Sequence, residues 1–192
     1  MNILIIPEDF RKDQYMLKPL VEALMDQVGQ NRAKVRVCQD PLLGGISEAL
    51  KWERLAEIID RYDWQIDLFL LCVDRDGKPG RRETLNNLER SAREKVRIDH
   101  AFLAENAWQE LEVWILAGHD FLPGWQWREI REEIDPKERY FVHLVAAHGL
   151  QDTPGEGRKI LAEEAASHYS RICQRCPEVG ELETRIQAWI GA

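Results

Sequence analysis

The apolar run Ile66–Val73 ends abruptly in Asp74-Arg75-Asp76-Gly77, and no other segment narrows the possible folds as much. A stretch this apolar is the pattern of a strand buried on both faces, which places it at the centre of a parallel sheet with helices on either side. Its last residues then deliver two carboxylates to the carboxyl edge of the sheet, where proteins of this class bind ligands. Asn2–Ile6 repeats the arrangement, running into Pro7-Glu8-Asp9. Two strands that bring acids to one edge point to a divalent-cation site, and such sites commonly handle phosphate esters.

Strand and helix signals alternate through the first two-thirds of the chain. Leu17, Leu20, Val21, Leu24 and Val28 recur at helical spacing over residues 12–28, and Lys34–Cys38 alternates as a second strand. Gly44-Gly45 breaks the chain before a helix capped by Ser47, with Leu50, Leu55, Ile58 and Ile59 on its apolar face. Leu85, Leu88, Ala92 and Val96 mark a further helix after the turn-rich Asp76–Gly80 loop. A fourth strand is predicted at Asp99–Ala104 and a helix at Ala107–Ala117.

This order predicts an α/β fold, a doubly wound, mostly parallel sheet of about four strands. Beyond Gly118 strand signals stop. Helices are predicted at Arg128–Ile134, Lys137–His148, Ile160–Cys173 and Leu182–Ile190. Residues 1–118 therefore read as an α/β core and 119–192 as a helical extension packed on the same domain.

At 192 residues the chain suits one packed domain, and 44% hydrophobic with 31% charged residues suits a globular protein. No apolar stretch has the ~20 residues of a membrane span, and the N-terminus lacks a signal-peptide pattern, so a cytoplasmic, non-membrane protein is expected. A net charge of −8 argues against a surface that coats nucleic acid as a whole. It does not argue against a local site, because a bound cation reverses the sign of an acidic cluster. Cys38 and Cys72 fall in strand-like runs and read as small buried hydrophobes, while Cys173 and Cys176 form a lone C-x-x-C without the further ligands that zinc needs. The five histidines show no i, i+4 pair.

Glu8, Asp74 and Asp76 are the first candidate constellation for metal and catalysis. The alternative for each is an acid that merely caps a helix or forms a turn. Arg75, Lys78, Arg81 and Arg82 surround them with positive charge suited to a phosphodiester, and Arg158 and Lys159 add a second basic pair at a helix start. The second constellation lies in Trp108–Trp114. Residues two apart on a regular helix point about 200° apart, so only one of Glu110 and Glu112 is expected to face a metal unless the helix starts at about Gln109–Glu110.

Glu after the first strand and D-x-D after the third resemble the hallmark of the Toprim fold, shared by topoisomerases, primases and OLD-type nucleases. The segments Gln109–Trp114, Asp152–Ile160 and Arg175–Pro177 narrow the resemblance to small Toprim-like proteins of bacterial defence and mobile-element neighbourhoods, often found beside an ATPase. The resemblance implies Mg²⁺- or Mn²⁺-dependent phosphodiester chemistry on nucleic acid. Asp74 and Asp76 would hold metal, Glu8 would bind a second metal or act as acid/base, and Glu110 and Glu112 would complete the site. The chain departs from the nuclease branch in having no correspondingly placed lysine beyond the basic loop and Lys159.

Three alternatives belong to other classes. A non-catalytic interaction subunit would keep the acids only for binding. A phosphorelay receiver would use Glu8-Asp9 and Asp74 but needs a fifth strand followed by lysine. A haloacid-dehalogenase-type phosphatase would use D-x-D-G but needs motifs that the chain lacks. An ATPase partner is implied by the resemblance, and seven tryptophans with a helical C-terminal third leave room for a partner surface, including a second copy of the chain.

Overall fold

The structure, a computed structural model, describes residues 1–191. Four parallel strands form one sheet: β1 (Asn2–Pro7), β2 (Lys34–Val37), β3 (Leu68–Val73) and β4 (Ala101–Asn106), in the order β2-β1-β3-β4. Helix α1 (Phe10–Gln27) links β1 to β2, and α2 (Ile46–Ala49) with α3 (Trp52–Tyr62) leads back to β3. Helix α4 (Arg81–Arg93) joins β3 to β4, and α5 (Glu112–Gly118) follows β4. The remainder is helical: α6 (Trp127–Glu132), a π-helical turn Lys137–Phe141 continuing into α7 (Val142–Ala147), α8 (Arg158–Ser167), α9 (Tyr169–Arg175) and α10 (Pro177–Ile190). The expected α/β fold with a four-stranded parallel sheet is therefore present. No fifth strand follows β4 among the described residues, so the element that would carry a receiver's lysine is missing. No helix among them is long and apolar enough to cross a membrane.

The period-2 geometry of a strand sends alternate side chains to opposite faces, and β3 is apolar on both. Leu68, Leu70 and Cys72 join Ile3 and Ile5 in a core shared with α1, α5 and α8 to α10. Phe69, Leu71 and Val73 join Leu4 and Ile6 in a second core against α3 and α4. The C-terminal helices thus extend the first core and share it with the α/β elements.

Of the boundaries that differ from the sequence-based expectation, three bear on the carboxyl edge of the sheet and its flanking strands; the others include a start of α10 at Pro177 and the division of the predicted Ile160–Cys173 helix into α8 and α9. Strand β3 starts at Leu68, because the Asp67 carboxylate Oδ2 instead accepts the Asn2 N–H (2.6 Å) beside it. Strand β4 is shifted two residues later than predicted, because pairing of Leu68 with Ala101 through Val73 with Asn106 sets its register. Helix α5 begins only at Glu112, so Ala107–Leu111 is free to form a loop.

The outer edge of β4 is blunted by side chains. Glu89 Oε1 accepts the Ala104 N–H (2.7 Å), while Arg82 and Arg185 donate to the Ala104 carbonyl at 2.9 and 3.2 Å. These contacts use the groups that an unpaired edge strand would offer to another chain. The C-terminal helices are held by close backbone approach. A Cβ at Gly118 of α5 would meet the Cα and Cβ of Ala165 of α8 at 2.6 Å. Gly118→Ala is therefore expected to destabilise the protein by about 1–3 kcal/mol despite alanine's better helix propensity. Chemical denaturation should show a lower midpoint with an unchanged slope.

Candidate functional site

The chain crosses from β1 to one edge of the sheet and then returns to the other side of it, so β1 and β3 flank a topological switch point. A crevice outside the carboxyl ends of such strands is the usual ligand position in open α/β sheets. Glu8 follows β1 and Asp74 follows β3, and they meet there. Glu8 Oε2 accepts the Asp74 N–H at 3.4 Å, and Asp74 Oδ1 accepts the Leu111 N–H at 2.7 Å.

The acids are crowded and enclosed. Burial, opposed by the Asp74 N–H bond and reinforced by Asp76, raises Glu8 from 4.5 to about 7. Burial and then the neighbouring charges of Glu8, Glu112 and Asp13 hold Asp74 well above the usual carboxylate range. Asp13, on α1, is the member that sequence reasoning missed. It is 8% exposed, its Oδ2 accepts the Asp9 N–H at 2.9 Å, and burial with Glu8, Glu112 and Asp9 nearby lifts it from 3.8 to about 7. Its signal was legible: Asp13 precedes Leu17, Leu20 and Leu24 on one helical stripe, an acid on a face otherwise given to the core.

The remaining predicted acids are diverted. Glu112 opens α5, is buried, and pairs with Arg158 Nη2 at 2.8 Å. Glu110 points elsewhere: its Oε2 accepts the Lys137 N–H at 2.9 Å, and burial raises it to about 7. Of these two, Glu112 is the acid whose charge reaches Asp74 and Asp13. Asp76 adopts a left-handed backbone (φ 52°), a conformation Asp tolerates better than most residues, and lies 3.4 Å from Arg81 Nη2.

The loop that carries D-x-D is clamped by Gln109. The Arg75 and Asp76 N–H groups donate to its carbonyl at 2.7 and 3.2 Å, and the Gly77 N–H donates to its side-chain Oε1 at 3.0 Å. Residues 107–111 thus serve as a brace, which explains why the predicted helix starts late.

The basic residues divide sharply. Arg158, expected at a phosphate, is 2% exposed and neutralises Glu112, because an unpaired Glu112 would be a buried uncompensated charge. Arg81 is buried against Asp76 and the Arg75 carbonyl. Arg82 is committed to Glu89, Glu105 and the β4 edge. Lys78 is exposed, and Lys159 is exposed with Glu163 at 3.8 Å. Arg75 lies 3.9 Å over the Trp108 ring.

A donor set made entirely of carboxylate oxygen suits Mg²⁺ or Mn²⁺. Glu8, Asp13 and Asp74 are near enough to act on one another's charge, and among the described residues no basic side chain is bonded to any of them. Among the described residues, however, no three such side chains are arranged to hold an ion together. The chemistry of the donors fits a divalent cation, while Asp76 is held by Arg81 and Glu110 by Lys137. No family model, curated protein or solved structure matches this chain.

Two outcomes follow from this balance of charge. The folded pKa of Asp13 lies above its ordinary value, so the unfolded chain releases this proton first as pH rises. Its contribution to stability is greatest at low pH and declines between about pH 4 and 7. Asp13→Asn keeps the acceptor for the Asp9 N–H and is expected to stabilise the metal-free protein by roughly 2–4 kcal/mol at pH 8, with the gain vanishing near pH 4. Denaturation midpoints across pH test this. Arg158→Met should cost about 3–5 kcal/mol by stranding Glu112, and adding Glu112→Gln should recover most of the loss. A double-mutant cycle in urea measures the recovery.

Proposed function

We propose that this chain performs divalent-cation-dependent phosphodiester chemistry on nucleic acid, as a Toprim-type nuclease that works with an ATPase partner in defence against phage or mobile elements. The observation that carries the proposal is the meeting of Glu8 and Asp74 at the switch point of the sheet, backed by Asp13 and lacking a bonded basic partner. Such a site has excess negative charge that a cation would offset. Glu8 and Asp74 would hold Mg²⁺ or Mn²⁺, and Asp76 would join them once released from Arg81. The cation would supply Lewis-acid stabilisation of the charge that builds on a phosphodiester during displacement.

The chain's own residues supply the rest. Gln109 fixes the D-x-D loop, so Asp74 needs little reorganisation. Arg158 pairs with Glu112 behind the site at 2.8 Å and so offsets part of the negative charge that faces Asp74. Arg81 is close enough to Glu8 to lower its pKa and is bonded to Asp76, so it can shift toward a phosphate oxygen when Asp76 is drawn to the metal. Raised carboxylate pKa values mean that cation binding must displace protons, so affinity should rise with pH through about 7.

The Asp76–Arg81 pair favours a second reading, in which the acids serve binding alone and the chain is a non-catalytic interaction subunit. Plasmid DNA and RNA incubated with purified protein and Mg²⁺ or Mn²⁺ separate the two. The nuclease predicts cation-dependent cleavage that Asp74→Ala reduces at least 100-fold with little change in folding. Absence of cleavage with either cation, with or without a neighbouring ATPase, would sink the nuclease reading and leave the binding subunit.

A further inference from the structure

We propose that Arg75, stacked on Trp108, is a docking subsite for an unpaired nucleotide, and hence that the site takes single-stranded nucleic acid. The inference rests on reading the adjoining acids as a phosphodiester site and names the form of its substrate. Arg75 lies between Asp74 and Asp76 in the sequence, and the segment that carries Trp108 binds the same loop through Gln109 and the Leu111 N–H, so the stack adjoins the acid-bearing loop. Its guanidinium carbon is 3.9 Å from the Trp108 ring centroid, a stacking distance.

Charge pairing distinguishes Arg75 from the arginines packed around the acids and Trp108. Arg81, Arg82 and Arg158 each face a carboxylate, and Arg131, 5.2 Å over the same ring, is held by both oxygens of Glu178 at 2.7 and 2.6 Å. Among the described residues the Arg75 guanidinium has no hydrogen-bond or ion-pair partner. Its in-plane donors are unclaimed, and a planar cation with free donors suits a phosphate at its edge and a base on its face. Trp108 is 40% exposed, so this stack lies at the surface.

The pair is also preorganised. Gln109, the residue after Trp108, binds the Arg75 N–H at 2.7 Å and the Gly77 N–H at 3.0 Å. Both halves of the stack are therefore tied to one brace, and little conformational freedom remains to be lost on binding. A duplex hides the faces of its bases within the stack, whereas an unpaired base can lie on an arginine–aromatic platform. A net charge of −8 disfavours broad, non-specific attraction of a phosphate backbone, and Lys78, exposed in the same loop, adds local positive charge beside Arg75.

Fluorescence anisotropy with labelled oligonucleotides of one sequence, as single-stranded DNA, single-stranded RNA and duplex DNA, tests the assignment. Ca²⁺ in place of Mg²⁺ allows binding to be read without turnover. Tighter binding of either single strand than of duplex, by at least tenfold, is expected, and the two single-stranded probes show which sugar is preferred. Trp108→Ala and Arg75→Lys should each weaken single-strand binding by about 10- to 100-fold, while Trp108→Phe retains most of it. Arg75→Lys keeps the charge and disturbs no polar contact, so it reports on stacking even if Trp108→Ala fails to fold.

Equal affinity for duplex and single strand, no binding of any probe, or wild-type binding by Arg75→Lys overturns the subsite. A protein that cleaves with Mg²⁺ yet is indifferent to Arg75→Lys loses the subsite and keeps the phosphodiester reading. One that never cleaves, yet binds single strands through the stack, loses the phosphodiester reading and keeps the subsite.

Discussion

Burial of β3 on both faces is the constraint from which the rest of the molecule follows. Six consecutive apolar side chains, alternating between two cores, can be covered only by helices above and below a parallel sheet. That arrangement leaves no place for charge along the strand. Polar function is pushed to the strand end, where the backbone leaves the sheet and its N–H groups need new partners. Asp74 emerges there, and β1, pairing directly with β3, brings Glu8 to the same level.

Crowding acids at this edge creates an electrostatic cost that the protein meets unevenly. Glu112 is matched by Arg158, a buried pair reaching from α5 to α8, and Asp76 is matched by Arg81. Among the described residues, Asp13, Glu8 and Asp74 accept hydrogen bonds only from backbone N–H groups, and burial, with the neighbouring acids, raises their pKa values. On the proposed reading, a cation bound here would displace protons from carboxylates that hold them more readily than usual. The C-terminal helices matter here, because without α8 there would be no Arg158 to compensate Glu112.

Much of the fold was legible because long-range order and local pattern agree. The period of apolar residues identified the strands and most helices, and strand-end acids identified the carboxyl edge. The errors were of register. Strand β4 moved by two residues because pairing with β3 outweighed local propensity, and α5 began late because Gln109 is needed to hold the loop. The π-helical turn before α7 and the break at His168 between α8 and α9 likewise carry no strong local signal.

The site was legible by residue type and less so by orientation. The sequence alone determined that Glu8 and Asp74 would share an edge, since each terminates an apolar strand whose burial leaves no alternative. It also held the sign of Asp13, an acid on an apolar helical stripe. Only tertiary structure decided which charges remain free. Whether Arg158 meets solvent or Glu112, whether Arg81 is buried against Asp76, and whether Arg75 lies on Trp108 depend on which side chains from distant segments arrive at the same place. Pairing energies act through space over a few ångströms, whereas periodicity records only which face of an element is covered.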